Sequence, residues 1–196
     1  STDVALHLHR DRILAPTLHL LGDQRAAAAC CERGLADPAL IRVPFLAGVR
    51  IDRRVAMGAI HARVLWLLGL PVQAERAIQQ AIDAAERAHE PVALASALAS
   101  SACPLAIWAG RVELARERLQ RLLRLTAERA LTVWRGYGLA FDGYVKWLED
   151  GASGVPPPPS VELVPQLAQL MATFHPHYVT SRLIQIGEAG LAGWCR

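Results

Sequence analysis

The chain is short of several things that common functions need. Among 196 residues there is one lysine, Lys146, against 20 arginines. A phosphate-binding loop of the G-x-x-x-x-G-K-[ST] kind needs a lysine beside a glycine turn. Lys146 sits in Asp142-Gly143-Tyr144-Val145-Lys146, so that loop is absent. A lysine Schiff base is excluded with it, because Lys146 falls on the solvated side of an amphipathic helix. The four cysteines, Cys30, Cys31, Cys103 and Cys195, contain no C-x-x-C pair. Neither a thiolate zinc site nor a disulfide scaffold has support, and buried thiols in a reducing cytosol are expected. Charged residues are 20% of the chain and the net charge is +3, too weak a field to draw nucleic acid by itself. No G-x-S-x-G turn is present, and Ser100 and Ser101 have no base near them in sequence. They are expected to bond back to their own helix. The longest apolar stretch, Pro91 to Gly110, is rich in alanine and serine and contains Pro104. It reads as a buried helix, not a membrane span. The start of the chain carries His7, His9, Arg10, Asp11 and Arg12, which is no signal peptide.

What is abundant is alanine and leucine, 34 and 29 residues. Both favour helix and neither favours strand. Apolar residues at 53% rule out disorder for the bulk of the chain. Helices are expected over about 3–21, 23–36, 51–68, 72–89, 92–109, 111–129, 133–149, 161–174 and 177–193. Pro16 and Pro104 should kink or interrupt their helices. A loop near Pro38 to Gly48 and a stiff linker from Gly151 to Ser160, with four consecutive prolines, complete the outline.

Four glycines end apolar helical stretches: Gly22, Gly69, Gly110 and Gly151, spaced 47, 41 and 41 residues apart. Each suits a left-handed helix C-cap. Small residues follow the first three turns, so paired helices approach closely. A unit of helix, glycine turn and helix repeating at this length cannot bury its apolar face alone. The expected fold is therefore all-α: a right-handed helix-turn-helix superhelix of four pairs plus a terminal helix, in a single domain spanning 1–196. The chain reads as a fragment of a longer protein.

Three motifs add a resemblance. They are A-R-V-L-W-L-L-G-L-P-V-Q-A at Ala62 to Ala74, A-C-P-L-A-I-W-A-G at Ala102 to Gly110, and L-H-L-L-G-D-Q at Leu18 to Gln24. Together they resemble the C-terminal tetratricopeptide-like (TPR-like) domain of bacterial winged-helix transcriptional regulators that carry a central ATPase module. The repeats run longer than the tetratricopeptide length, and Val72 and Glu113 replace an expected aromatic. The resemblance implies a non-catalytic, cytoplasmic regulatory or sensor arm that binds a protein, a peptide or a small-molecule effector. An oligomerisation or assembly module, with a possible homodimer, is the alternative.

The residue types narrow the candidate site. First helices of repeat pairs usually line the concave face. Arg50, Arg54 and His61 fall near one stripe, and Trp134, Tyr137, Phe141 and Tyr144 follow at spacings of 3, 4 and 3. The aromatic stripe suits core packing between repeats; the alternative is a groove with aromatic walls and an arginine for an acidic group. Trp66 and Trp108, each just before a glycine turn, read as packing residues. No cofactor and no metal are expected. His7 with His9 and His175 with His177 lie near opposite ends of the chain, and the second pair reads as a turn around Pro176. Arg111, Arg116, Arg118, Arg121, Arg124 and Arg129 alternate with Glu113, Glu117 and Glu128, which reads as a solvated face with local ion pairs, not a nucleic-acid patch.

Overall fold

The computed structural model describes residues 2–36 and 52–151. The expected Pro38–Gly48 loop, proline linker and helices at 161–174 and 177–193, with Arg50, His175, His177 and Cys195, lie outside the described residues, as do the side chains of His7 and His9. The described chain is all-helical, and no strand occurs among the described residues. The order is α1 (Thr2–Leu20), α2 (Gln24–Ala36), α3 (Arg53–Leu67), α4 (Pro71–Arg87), α5 (Pro91–Ala97), a π turn (Leu98–Ala102), α6 (Cys103–Trp108), α7 (Val112–Glu128) and α8 (Thr132–Glu149). The chain forms two compact units, Ser1–Leu105 and Ala106–Arg196, the division falling within α6.

All four glycines adopt the left-handed conformation, with φ of +87° at Gly22, +77° at Gly69, +66° at Gly110 and +81° at Gly151. The turns at Gly22, Gly69 and Gly110 close in the same way. The Gly69 amide donates to Trp66 O at 2.9 Å and the Leu70 amide to Leu65 O at 2.9 Å. Gly110 with Ile107, Arg111 with Ala106, Gly22 with His19 and Asp23 with Leu18 repeat the pair of bonds. These bonds satisfy carbonyls that the helix end would otherwise leave open.

Two further left-handed turns carry side chains, at His89 (φ 52°) and Ala130 (φ 51°). Glu90 donates to Ala85 O and Leu131 to Thr126 O, closing the same motif without glycine. Between Gly69 and Gly151 the left-handed positions are 69, 89, 110, 130 and 151. Glycine turns at a 41-residue spacing thus alternate with non-glycine turns about halfway between. The next helix starts cleanly where sequence allows it. Pro71 and Pro91 open α4 and α5, where a missing N–H costs nothing. Asp23 accepts from the Ala26 amide at 3.0 Å, and Asp52 from the Arg54 amide at 2.8 Å, as side-chain N-caps.

The prolines behave differently from one another. α1 runs through Pro16 without interruption. Ahead of Pro104 the rod widens into the π turn, where the Cys103 amide reaches Leu98 O, five residues back. The wider turn makes room for a ring that would collide with the carbonyl four residues before it. Pro91–Trp108 is long and apolar enough to cross a membrane by length and composition, and 78% of it is buried inside the protein.

In the first unit, helices meet on small residues. Ala27, Ala28 and Val64 form one cluster, and Ala15, Cys30 and Cys31 another. A Cβ on Gly58 would lie 3.1 Å from Ala81 Cβ, so α3 and α4 touch almost backbone to backbone. Met57 fills the space left by Gly34 of α2. In the second unit, Ala115, Leu119, Leu122 and Thr126 form the buried stripe of α7. Trp134, Tyr137, Phe141 and Val145 form that of α8.

Candidate functional site

The first unit holds an unusual number of buried polar groups for so apolar a chain. Asp11, Arg53, Arg63, Ser100 and Ser101 are all at most 6% exposed. Most find partners. Asp11 accepts from Arg33 Nε and Nη2, both at 3.1 Å, with Arg10 beside it at 3.4 Å. The hydrogen bond from Arg33, before any other attraction, holds the Asp11 carboxyl below its ordinary value. Ser101 does not bond back within its own helix as its sequence context suggests. It donates across to Ala59 O of α3 at 2.7 Å, tying the π turn to α3. The Ser100 and Ser101 hydroxyls are 3.5 Å apart.

Two sequence-chosen residues stand on one stripe of α3. Arg54 is in the first turn and His61 two turns on. Arg54 Nη2 pairs with Asp52 Oδ2 at 3.2 Å, while the Asp52 amide donates to Glu90 Oε2 at 3.2 Å. Arg54 Nε is buried with no hydrogen-bond partner, although the side chain as a whole is 39% exposed. His61 Nε2 is likewise buried and without a hydrogen bond. Its nearest acid is Glu32 of α2, whose Oε1 lies 3.9 Å away. Burial pushes the His61 pKa down, against a smaller upward pull from Glu32, so the ring is neutral near pH 7. Gly58, between them, is the residue seated against Ala81, so the stripe runs beside α4 and within reach of α2.

A second histidine was not chosen from the sequence. His19 Nδ1 lies 2.8 Å from Gln24 Oε1, and Gln24 Nε2 donates to His19 O at 3.0 Å. The amide thereby presents oxygen to the ring, so Nδ1 carries the proton. Burial, then the Arg63 charge, pushes the His19 pKa down. Arg63 is 2% exposed, and burial lowers its pKa to about 10. Arg12, Arg53 and Arg63 were also missed. The available signal was position: Arg63 interrupts an apolar run, and Arg53 precedes Val55 and Met57 on a helix built to be buried.

The aromatic candidates are in the second unit. Trp134, Tyr137 and Phe141 are 8%, 3% and 3% exposed. Trp134 and Tyr137 rings lie 6.0 Å apart, and burial pushes the Tyr137 hydroxyl up to about 12. Tyr144 is half-buried, with its ring 5.4 Å from that of Trp147. Three of the four thus have the burial that packing requires. Trp66 and Trp108 are half-buried. The arginine-rich α7 differs from a solvated face in two ways. Arg118 is buried at 6% exposure, because it shares the face of Ala115 and Leu122. Arg116 pairs with Glu149 of α8 at 2.5 Å, not along its own helix. Lys146 is exposed and pairs with Asp142 at 2.6 Å.

Cys30, Cys31 and Cys103 are free and buried. Burial pushes the Cys31 thiol up to about 12, which removes its thiolate near neutrality. Among the described residues no group of three histidine, cysteine or acidic side chains is placed to hold a metal ion. No protein-family model, curated protein or solved structure matches the chain.

Proposed function

We propose that the chain is a non-catalytic sensor arm of a cytoplasmic bacterial winged-helix regulator, binding a protein or small-molecule signal. Its helix pairs stack, in this reading, as a right-handed TPR-like superhelix. The alternation of left-handed turns from Gly69 to Gly151 supports the stacking, because the turns at Gly69, His89 and Gly110 close by the same pair of bonds. The observation that carries the binding role is the α3 stripe. Arg54 Nε and His61 Nε2 are both buried and both lack a hydrogen-bond partner. A buried polar nitrogen left unsatisfied costs about 1–3 kcal/mol. A bound group that reaches both nitrogens recovers that cost.

Native mass spectrometry of the chain, purified without added effector, tests this reading. A retained ligand lost in Arg54→Ala and in His61→Ala supports it. Equal retention by both variants, or ATP hydrolysis by the isolated chain, overturns it. Assembly is the second reading, favoured by one observation. Ile13, Leu14, Leu20 and Leu21 lie on one face of the α1 end and are 59%, 36%, 52% and 77% exposed. A dimeric mass in solution that Leu21→Glu reduces to monomer supports assembly through that face.

A further inference from the structure

Two glycine turns share one end of the first unit. α1 closes into α2 at Gly22, and α3 into α4 at Gly69. Leu18, ahead of the first turn, and Leu68, ahead of the second, pack on the same cluster of Ala27, Ala28 and Val64, so the turns lie side by side. Their tips are apolar and uncovered. Leu20 and Leu21 are more than half exposed, and Leu67, Leu70 and Val72 are 54%, 37% and 71% exposed. These are five of the eight large apolar side chains exposed among the described residues, gathered on two adjacent turns. The turn at the far end of α4 carries Arg87, His89 and Glu90 in their place. Exposed apolar side chains scattered singly need no explanation, but a contiguous patch marks a surface that another molecule covers.

The rim of the patch says which molecule. Asp23 and Arg25, at the start of α2, and Arg76, in α4, are exposed beside the tips. None of the three forms an ion pair among the described residues. A partner of one sign would meet either Asp23 or the two arginines with repulsion. A rim that holds both signs complements itself: a two-fold axis sets the acid of one copy against a base of the other, and every such contact occurs twice.

We propose that this end of the first unit docks on the same end of a second copy of the chain, with the leucine and valine tips inside and Asp23, Arg25 and Arg76 paired around them. The proposal rests on the assembly reading given above and moves its surface from the α1 face to the paired turns.

Sedimentation equilibrium of the whole chain over a range of concentrations is the test. The expected result is a reversible monomer–dimer equilibrium. Val72→Glu and Leu67→Glu, both at exposed positions, should each weaken dimerisation at least tenfold with the helical circular dichroism unchanged. Arg76→Glu should weaken it several-fold. Ile13→Glu, on α1 away from the tips, should leave the dimer intact. Dissociation by Ile13→Glu but not by Val72→Glu or Leu67→Glu would overturn this surface and leave assembly through α1 standing. A monomer at every concentration would overturn both, and co-sedimentation of that monomer with phosphatidylserine–phosphatidylcholine vesicles would assign the tips to a lipid surface. Open-ended growth beyond the dimer would overturn the two-fold arrangement.

Discussion

The two compact units solve helix packing in opposite ways. In the first, small residues bring backbones together: Gly58 sits against Ala81, and Ala15, Ala27, Ala28 and Cys31 meet Val64, Leu18 and Ile60 where α1, α2 and α3 pack. In the second, α8 supplies Trp134, Tyr137 and Phe141, while α7 supplies Leu119 and Leu122. Where backbones approach closely there is little volume to fill, while Met57, Ile78 and Leu98 fill the first unit elsewhere. Bulky packing fills its space with apolar atoms. The lesson is functional as well as architectural. Trp134, Tyr137 and Phe141, a stripe that could have been a binding wall, are buried as packing requires, and the buried nitrogens lacking hydrogen bonds on Arg12, Arg54 and His61 all lie in the unit of small residues.

The comparison breaks most visibly if the aromatics are removed. Phe141→Ala should destabilise the chain by about 3–5 kcal/mol, the range for a buried phenylalanine. Urea unfolding checks this. Next in size is the contrast between two helical glycines. Gly58→Val should cost about 3 kcal/mol, because Ala81 Cβ has no rotamer to escape into. At Gly138 the neighbour is Leu123 Cδ2, the far end of a flexible side chain. Gly138→Ala should therefore be near neutral, the lost contact being offset by about 1 kcal/mol of helix propensity. Thermal melts of the two variants side by side decide it. A smaller, opposite effect is expected at the turns. His89→Gly and Ala130→Gly should each raise stability by up to about 1 kcal/mol, because a left-handed backbone penalises a side chain. An unchanged or lower Tm in both would count against those turn geometries.

Acid should separate the units as well. His19 and His61 both have pKa values pushed below the ordinary 6.5. The folded state therefore resists protonation that the unfolded chain accepts. Their contribution to stability is complete above pH 6.5 and is lost as pH falls through the depressed values. The Tm should drop between pH 7.5 and 5.5, and His19→Gln with His61→Gln should flatten that drop. An equally steep profile in the double variant would contradict it.

Much of this was legible in the amino-acid order, for physical reasons. Glycine at the end of an apolar helix marks a left-handed cap, and all four such glycines have that backbone. His89 and Ala130 were invisible, because a side chain can occupy the same conformation when the flanking bonds hold it there. Pro104 announces a defect but not its form, since the π turn depends on what the rod packs against. Arg54 and His61 were singled out by their spacing, and α3 carries both on one stripe. The aromatic stripe had the same spacing and proved mostly buried, since periodicity marks a helix face without saying whether a neighbour covers it. Arg12, Arg53 and Arg63 were missed because an arginine reads as solvated until its surroundings are known.

The most direct test compares Phe141→Ala and Arg54→Ala in one urea-unfolding experiment. The assignment of packing to the second unit's aromatics and recognition to α3 of the first predicts two unequal losses. Phe141→Ala should lose about 3–5 kcal/mol, and Arg54→Ala, whose one ion pair is partly exposed, less than about 1 kcal/mol. A Phe141→Ala variant as stable as the parent, or an Arg54→Ala variant losing as much as Phe141→Ala, would contradict that assignment.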